Sequence, residues 1–73
     1  MVYDYTLLNE KIKEVCGTQA IFAQAIKRSE RAVSLKLNNK REWRQEEIRR
    51  SCKVLNLKHK DIHAYFFTQK VQN

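Results

Sequence analysis

The chain has 73 residues, of which 15 are Lys or Arg and 8 are Asp or Glu, so its formal net charge is +7. A chain of this length forms one small domain and buries only about 60% of the surface that its unfolded form exposes, which leaves little room for a deep active-site pocket. Length and charge therefore argue against an enzyme and for an acidic partner. Hydrophobic residues make up 42% and charged residues 32%, as in globular domains rather than disordered chains.

No apolar run approaches the roughly 18 residues needed to span a bilayer, and no secretory leader follows Met1, so we expect a cytoplasmic protein that does not bind a membrane. The two cysteines, Cys16 and Cys52, are too few for a disulfide scaffold and indicate reduced thiols in or near the core. With one glycine and no proline, the chain lacks the turn residues of a small sheet protein. Composition therefore predicts an all-α fold.

Helical spacing and capping residues predict five helices in one compact domain over residues 1–73. Thr6 is the expected N-cap of a first helix that Gly17 ends, and Thr18 is the expected N-cap of a second helix from Gln19 to about Ile26. The apolar positions that we expect on these two helices are Leu7, Leu8, Ile12, Val15, Cys16, Ile21, Phe22, Ala25 and Ile26.

Ser29 predicts the N-cap of a third helix, from Glu30 to about Leu37, with Val33 and Leu37 as its buried pair. The polar run 38–41 ends it, because consecutive asparagines prefer turns and the left-handed region.

A fourth helix is expected from Trp43 or Gln45 to Leu55, with Asn56 as its stop. Its expected buried residues are Trp43, Ile48, Cys52 and Leu55, and its expected exposed residues are Arg44, Arg49, Arg50 and Lys53. A fifth, short helix is expected from Asp61 to Phe67. The tail, Thr68 to Asn73, is expected to be frayed or strand-like.

Two short helices joined by a tight turn, the second opening on a serine cap and a basic residue, form the arrangement that places a helix in a DNA major groove. Residues 19–34 resemble the helix-turn-helix of the Cro and phage-repressor type, whose pattern is matched at Gln19, Phe22, Ala23, Ser29, Val33 and Ser34. In the turn, Lys27 and Arg28 stand where the family usually has glycine and an aliphatic residue. Asn38-Asn39-Lys40 resembles the family's Asn-Gly-Lys.

With its aromatic tail 65–68, the whole chain resembles the small Cro-like modulator-of-repression proteins of lactococcal and other Gram-positive temperate phages. The resemblance implies a helix-turn-helix at about 18–38 and a transcriptional regulator of the lysogeny–lysis switch. Such an antirepressor binds the N-terminal DNA-binding domain of its cognate repressor, double-stranded operator DNA, or both. The alternative is an autonomous Cro-type repressor that binds its operator by sequence.

On the third helix, Arg31 can pair with guanine, Glu30 can accept from the cytosine amino group and Leu35 can touch a thymine methyl. The predicted DNA-facing set is Gln19, Arg28, Ser29, Glu30, Arg31, Ser34, Leu35, Asn38, Asn39, Lys40 and Arg41. The same surface suits a repressor, since Leu35 offers an apolar centre and Arg28, Arg31 and Lys36 a charged rim.

The charge is unevenly distributed. Residues 1–16 carry a net charge of −1, residues 17–43 of +4 and residues 44–73 of +4. The excess therefore begins with the motif, as a phosphate-binding surface requires, although Arg49, Arg50 and Lys53 are also explained as a solvated helix face.

Other classes of function receive little support. His59 and His63 lie four residues apart with Cys52 upstream, but the paired cysteines of small zinc sites are missing, so we expect no metal, cofactor or small-molecule substrate. The aromatic residues Phe22, Trp43, Tyr65 and Phe66 are expected in the core. Those nearer the termini, Tyr3, Tyr5 and Phe67, together with Val71, either close the core or form a homodimer contact.

Overall fold

A computed structural model describes residues 2–71, and its regular structure is helical. The helices are α1 (Thr6–Cys16), α2 (Gln19–Ala25), α3 (Glu30–Leu37), α4 (Gln45–Leu55) and α5 (Ile62–Phe66), with a 3-10 turn over His59–Asp61 before α5. The predicted all-α, five-helix fold is confirmed. No helix in the described part of the chain is both long and apolar enough to cross a bilayer.

The core is assembled from every helix. Its buried apolar residues are Tyr5, Leu8, Ile12, Phe22, Ala23, Ile26, Val33, Leu37, Leu55 and Phe66. Trp43, two residues before α4, packs edge-on against Phe66 with ring centroids 5.3 Å apart, and also meets Phe22 and Tyr5 edge-on at 6.5 Å. This aromatic cluster ties the segment before α1, the loop before α4 and α5 to α2.

The first helix begins differently from the prediction. Thr6 is its first helical residue, and Tyr5 at the N-cap makes no side-chain capping bond. Instead, Asp4 Oδ1 accepts from the backbone N–H of Thr6 at 2.9 Å and from its hydroxyl at 2.6 Å. These two bonds lower the pKa of Asp4, and the carboxylate supplies the negative charge that a helix start favours.

Four apolar residues that helical spacing associates with the core are exposed: Leu7 (47%), Val15 (47%), Ile21 (52%) and Ala25. The reason is geometric, because each helix contacts the core along one stripe. On α1 that stripe runs through Leu8 and Ile12. A residue one position along the helix, such as Leu7, lies beside the stripe and is left exposed.

Four residues with positive φ mark the ends of helices: Gly17 (85°), Lys27 (62°), Asn39 (61°) and Asn56 (56°). After the last three, the next backbone N–H bonds a carbonyl five residues back, at 2.9, 2.8 and 2.9 Å respectively. This is the Schellman arrangement, which satisfies the last carbonyls of a helix.

The fourth and fifth helices are shorter than the longest predicted ranges. α4 starts at Gln45, and of its expected core residues Leu55 is fully buried while Trp43, Ile48 and Cys52 are partly buried. α5 covers Ile62–Phe66, since a 3-10 turn replaces its expected first residue.

The tail pairs with the start of the same chain. Tyr3 and Gln69 form an antiparallel bridge, the Asp4 N–H donates to the Thr68 carbonyl at 2.8 Å, and the Lys70 N–H donates to the Val2 carbonyl at 3.1 Å. Of the two predicted states of the tail, residues 68–70 therefore adopt the strand-like one. They pair with residues 2–4 of the same chain. The expected tail also included Gln72 and Asn73, which lie outside the described residues.

Candidate functional site

The pair α2–α3 is positioned by two side-chain caps and one strained turn. Thr18 Oγ1 accepts from the Ile21 N–H at 3.2 Å, and Ser29 Oγ accepts from the Ala32 N–H at 3.1 Å. Both capping predictions are confirmed. Between the helices, Lys27 adopts the positive φ that glycine adopts most easily, so the tight turn forms without a glycine.

The outer face of α3 presents the residues expected to read a groove or a partner. Glu30 and Arg31 are exposed and Leu35 is partly exposed. Val33 and Leu37 are buried, as their spacing predicts. The exposed stripe of α3 is therefore Arg31 and Leu35, one helical turn apart.

Two residues expected on that outer surface point elsewhere, which corrects the predicted charged rim around Leu35. Lys36 is only 5% exposed, and its Nζ lies 3.3 Å from Glu47 Oε2. Arg28 donates through Nε to the same oxygen at 2.6 Å. Both cations are held by a carboxylate of α4, because the inward side of α3 and the turn face that helix.

Glu47 is the centre of this cluster and is 1% exposed. Its Oε1 accepts from the Arg44 backbone N–H at 2.8 Å, while its backbone carbonyl accepts from the Ser51 hydroxyl at 2.7 Å. Burial acts to raise the pKa of Glu47, but the Arg44 N–H, Arg28 and Lys36 together outweigh it and hold the pKa below its usual value. At the turn position where Cro-type helix-turn-helix proteins usually have an aliphatic residue, this chain thus has Arg28, which is paired with Glu47.

Asn39, expected to contact phosphate, is also engaged within the molecule. Its Oδ1 accepts from the Tyr3 N–H at 2.9 Å, and its Nδ2 donates to the Tyr3 carbonyl at 3.0 Å. The neighbouring Asn38 donates to the Ser34 carbonyl at 2.8 Å. Both polar atoms of the Asn39 amide and the Nδ2 of Asn38 thus bond to backbone.

Of the remaining members of the DNA-facing set, Ser34 is partly exposed and Gln19, Ser29, Lys40 and Arg41 are exposed. Gln19 lies at the start of α2, and Lys40 and Arg41 follow α3. Together with Arg31, these two are the cations of the predicted DNA-facing set that have no side-chain ion pair within residues 2–71.

A cleft beside the end of α3 was not predicted. Its volume is about 460 Å³ and it is lined by Tyr3, Tyr5, Asn39, Lys40, Arg41, Glu42, Trp43, Ile48, Phe66 and Phe67. Tyr3 and Phe67 meet edge-on at its wall with centroids 6.0 Å apart, and Phe67 is 41% exposed. We call this the aromatic cleft.

Within residues 2–71, no three His, Cys, Asp or Glu side chains are grouped so that they could hold a metal ion. Burial raises the pKa of both thiols, Cys16 and Cys52, which keeps them protonated and poorly nucleophilic at neutral pH.

A family profile described as "Protein of unknown function (DUF739)" matches residues 1–69. The chain belongs to this family. It is also similar to the solution structure of the modulator of repression (MOR) of the temperate bacteriophage TP901-1 from Lactococcus lactis, with 53% sequence identity and a TM-score of 0.81. The match covers 99% of this chain and 97% of that one. No protein with a curated description matches it.

The resemblance to phage modulators of repression is thereby confirmed. Glu47 and the aromatic cleft are the features of this DUF739 member that the sequence reasoning missed. A signal for Glu47 was present, because Glu47, Ser51 and Leu55 follow one another at four-residue intervals on one face of α4. The cleft had no such signal, since its walls come from three distant segments.

Proposed function

We propose that this protein regulates the lysogeny–lysis switch of a temperate phage as an antirepressor that binds the DNA-binding domain of the phage repressor in the host cytoplasm. The name of its relative, a modulator of repression, supports the regulatory role. The mode of action is inferred from the surface of α2 and α3.

The observation that carries the proposal is how little of the α2–α3 surface remains available to DNA. α2, the helix that crosses the phosphate backbone in DNA-reading motifs, has no charged residue in its sequence QAIFAQA. Arg28 is held by Glu47 and Asn39 by Tyr3. The free cations of this surface, Arg31, Lys40 and Arg41, lie on or after α3, so α2 contributes no charged contact to phosphate, and we expect operator binding by this surface alone to be weak.

The same region has the features of a protein interface. Leu35 is partly exposed beside Arg31, and the aromatic cleft next to the end of α3 is bordered by Lys40 and Arg41. Aromatic and Arg side chains in shallow pockets are the usual anchors of protein interfaces. We propose that Arg31, Leu35 and the cleft residue Phe67 contact the repressor.

A gel shift on the intergenic switch region, with and without the cognate repressor, tests this function. We expect the protein alone to shift operator DNA weakly and to release the DNA from the repressor. Leu35→Ala and Phe67→Ala should weaken repressor binding about tenfold each, the loss of roughly 1.4 kcal/mol expected for an anchor residue. Leu7→Ala, an exposed leucine on α1, is the matched control and should bind normally.

The second candidate is the autonomous Cro-type repressor, which the exposed Gln19, Glu30, Arg31, Lys40 and Arg41 favour. It requires a homodimer on a palindromic operator. Nanomolar, sequence-specific operator binding without the repressor, together with a dimer in sedimentation, would replace the antirepressor proposal with this one.

A further inference from the structure

A second group of basic residues does not belong to α3. It consists of Lys27 in the α2–α3 turn and Arg49, Arg50 and Lys53 on α4, and we call it the basic strip. Lys27 and Lys53 are exposed, and the Arg49 and Arg50 side chains are 76% and 30% exposed. None of the four belongs to the predicted DNA-facing set.

The turn and α4 are joined, so these charges form one surface. Arg50 Nη1 donates at 3.2 Å to the carbonyl of Ile26, the residue before Lys27. One residue after Lys27, Arg28 reaches Glu47. On α4 itself, Arg49 and Lys53 are one helical turn apart and lie on the same side.

The strip is poorly neutralised. Its nearest acid is Glu46, whose Oε1 lies 2.6 Å from Arg50 and 4.0 Å from Arg49. Lys27 and Lys53 form no ion pair within residues 2–71. Three cations thus remain free or nearly free for an anionic partner.

Lys27 occupies a position where a lysine is costly. Its φ of 62° lies in the left-handed region, which costs an L-residue other than Gly, Asn or Asp roughly 1–2 kcal/mol. The conformation itself belongs to the Schellman ending of α2. Here the side chain adds one more cation beside α4.

We propose that the basic strip binds the phosphate backbone of duplex DNA without regard to sequence and independently of α3. The exposed residues of α4 (Gln45, Glu46, Arg49 and Lys53) include no apolar side chain that could anchor a protein partner. Long cationic side chains without an apolar centre fit a phosphate backbone, where affinity comes from release of counterions. This goes beyond the proposed antirepressor function, because it gives the protein a contact with DNA that does not involve the repressor.

The test is the salt dependence of binding to a duplex of unrelated sequence, measured by fluorescence anisotropy without the repressor. Lys27→Gly, Arg49→Gln and Lys53→Gln combined should reduce the slope of log K against log salt by about 2.7, since each lost phosphate contact contributes about 0.9. The control is Lys11→Gln, Lys13→Gln and Lys70→Gln combined, which changes the net charge equally and should alter the slope by less than half as much. Thermal unfolding of each variant checks that the fold is retained.

Three results would overturn the proposal. The first is an equal loss in both triple variants, which assigns the binding to net charge. The second is a loss confined to Arg31→Gln, Lys40→Gln and Arg41→Gln combined, which assigns it to α3. The third is binding of polyglutamate as tight as that of DNA at equal charge concentration, which makes the partner an acidic protein. The antirepressor proposal fails separately, because its deciding measurement is the release of operator DNA from the repressor, which is absent here.

Discussion

At the scale of single residues, the turn between α2 and α3 keeps the backbone geometry of a glycine turn, although Lys27 stands where glycine is expected. Lys27 takes the left-handed conformation, and the Arg28 N–H bonds the Ala23 carbonyl at 2.9 Å, as it would after a glycine. The missing glycine therefore leaves the turn intact and adds strain instead.

Replacing Lys27 by glycine is expected to stabilise the protein by about 0.5–1 kcal/mol. Relief of roughly 1–2 kcal/mol of strain outweighs the greater entropy of glycine in the unfolded chain, which is worth about 0.4–1 kcal/mol. Urea unfolding followed by circular dichroism measures the difference. Asn56→Gly is the control and should gain less, because asparagine tolerates the left-handed region; an equal gain at both sites would contradict the strain argument.

At the scale of elements, α4 holds the α2–α3 pair through one buried carboxylate. Glu47 contacts the turn through Arg28 and the inner face of α3 through Lys36, and it accepts from the backbone at the start of its own helix. A buried charge bound in this way orients its neighbours, and removing it leaves the opposite charges without compensation.

Glu47→Gln is expected to cost about 3 kcal/mol of unfolding free energy, because Lys36 is left buried without a counter-charge. Arg28→Leu, which introduces the aliphatic residue that Cro-type helix-turn-helix turns usually have, leaves the Glu47–Lys36 pair intact and should cost less than about 1 kcal/mol. Chemical unfolding measures the free energy of unfolding that each variant loses. Similar losses in both variants would show that the pairing of Glu47 with Lys36 has no energetic importance.

The same carboxylate predicts a pH dependence. The pKa of Glu47 is lower in the folded protein than its ordinary value of 4.5, so the unfolded chain binds its proton first as pH falls. Its stabilising contribution is complete above that ordinary pKa and is lost as pH falls through the lower folded value. Thermal melts between pH 7 and roughly pH 3 should show a steeper loss for the parent protein than for Glu47→Gln. Asp4, whose pKa is lowered in the same direction, contributes equally to both proteins, so parallel curves would refute the role of Glu47.

At the scale of the whole molecule, the two ends of the chain close the domain together. Residues 2–4 lie between the tail, through the Tyr3–Gln69 bridge, and Asn39, through two side-chain bonds to the Tyr3 backbone. This pairing also forms one wall of the aromatic cleft, where Tyr3 meets Phe67. The shape of the cleft thus depends on contacts between residues far apart in the chain.

Asn39→Gly, which keeps the left-handed backbone of this position, should release the first residues and cost about 1–2 kcal/mol, since two backbone groups of Tyr3 lose their partner. The amides of Asp4 and Lys70, which bond across the two ends, should then exchange with solvent faster. Hydrogen exchange measured by NMR checks this. Asn38→Ala, whose lost bond lies within the end of α3, should leave those two amides protected; similar exchange in both variants would show that Asn39 does not hold the ends.

The helices were predictable because their signals are local. Thr18 and Ser29 cap their own helices, Gly17 and Asn56 end theirs, and Val33 and Leu37 share a buried face at four-residue spacing. Errors arose where the pattern singled out the wrong residue, as with Thr6 in place of Asp4, or where a helix is apolar on more sides than the core covers, as at Leu7 and Val15.

By itself, the sequence determined a single small helical domain, its capped α2–α3 pair, its excess of positive charge and its resemblance to phage modulators of repression. Only the tertiary structure decided which polar side chains remain available on the surface. Spacing along a helix tells which face a residue lies on, but a long side chain such as Arg28, Lys36 or Asn39 binds whichever group the packing brings near. Here α4 and the first residues of the chain are those neighbours, and they turn three predicted surface contacts into internal ones.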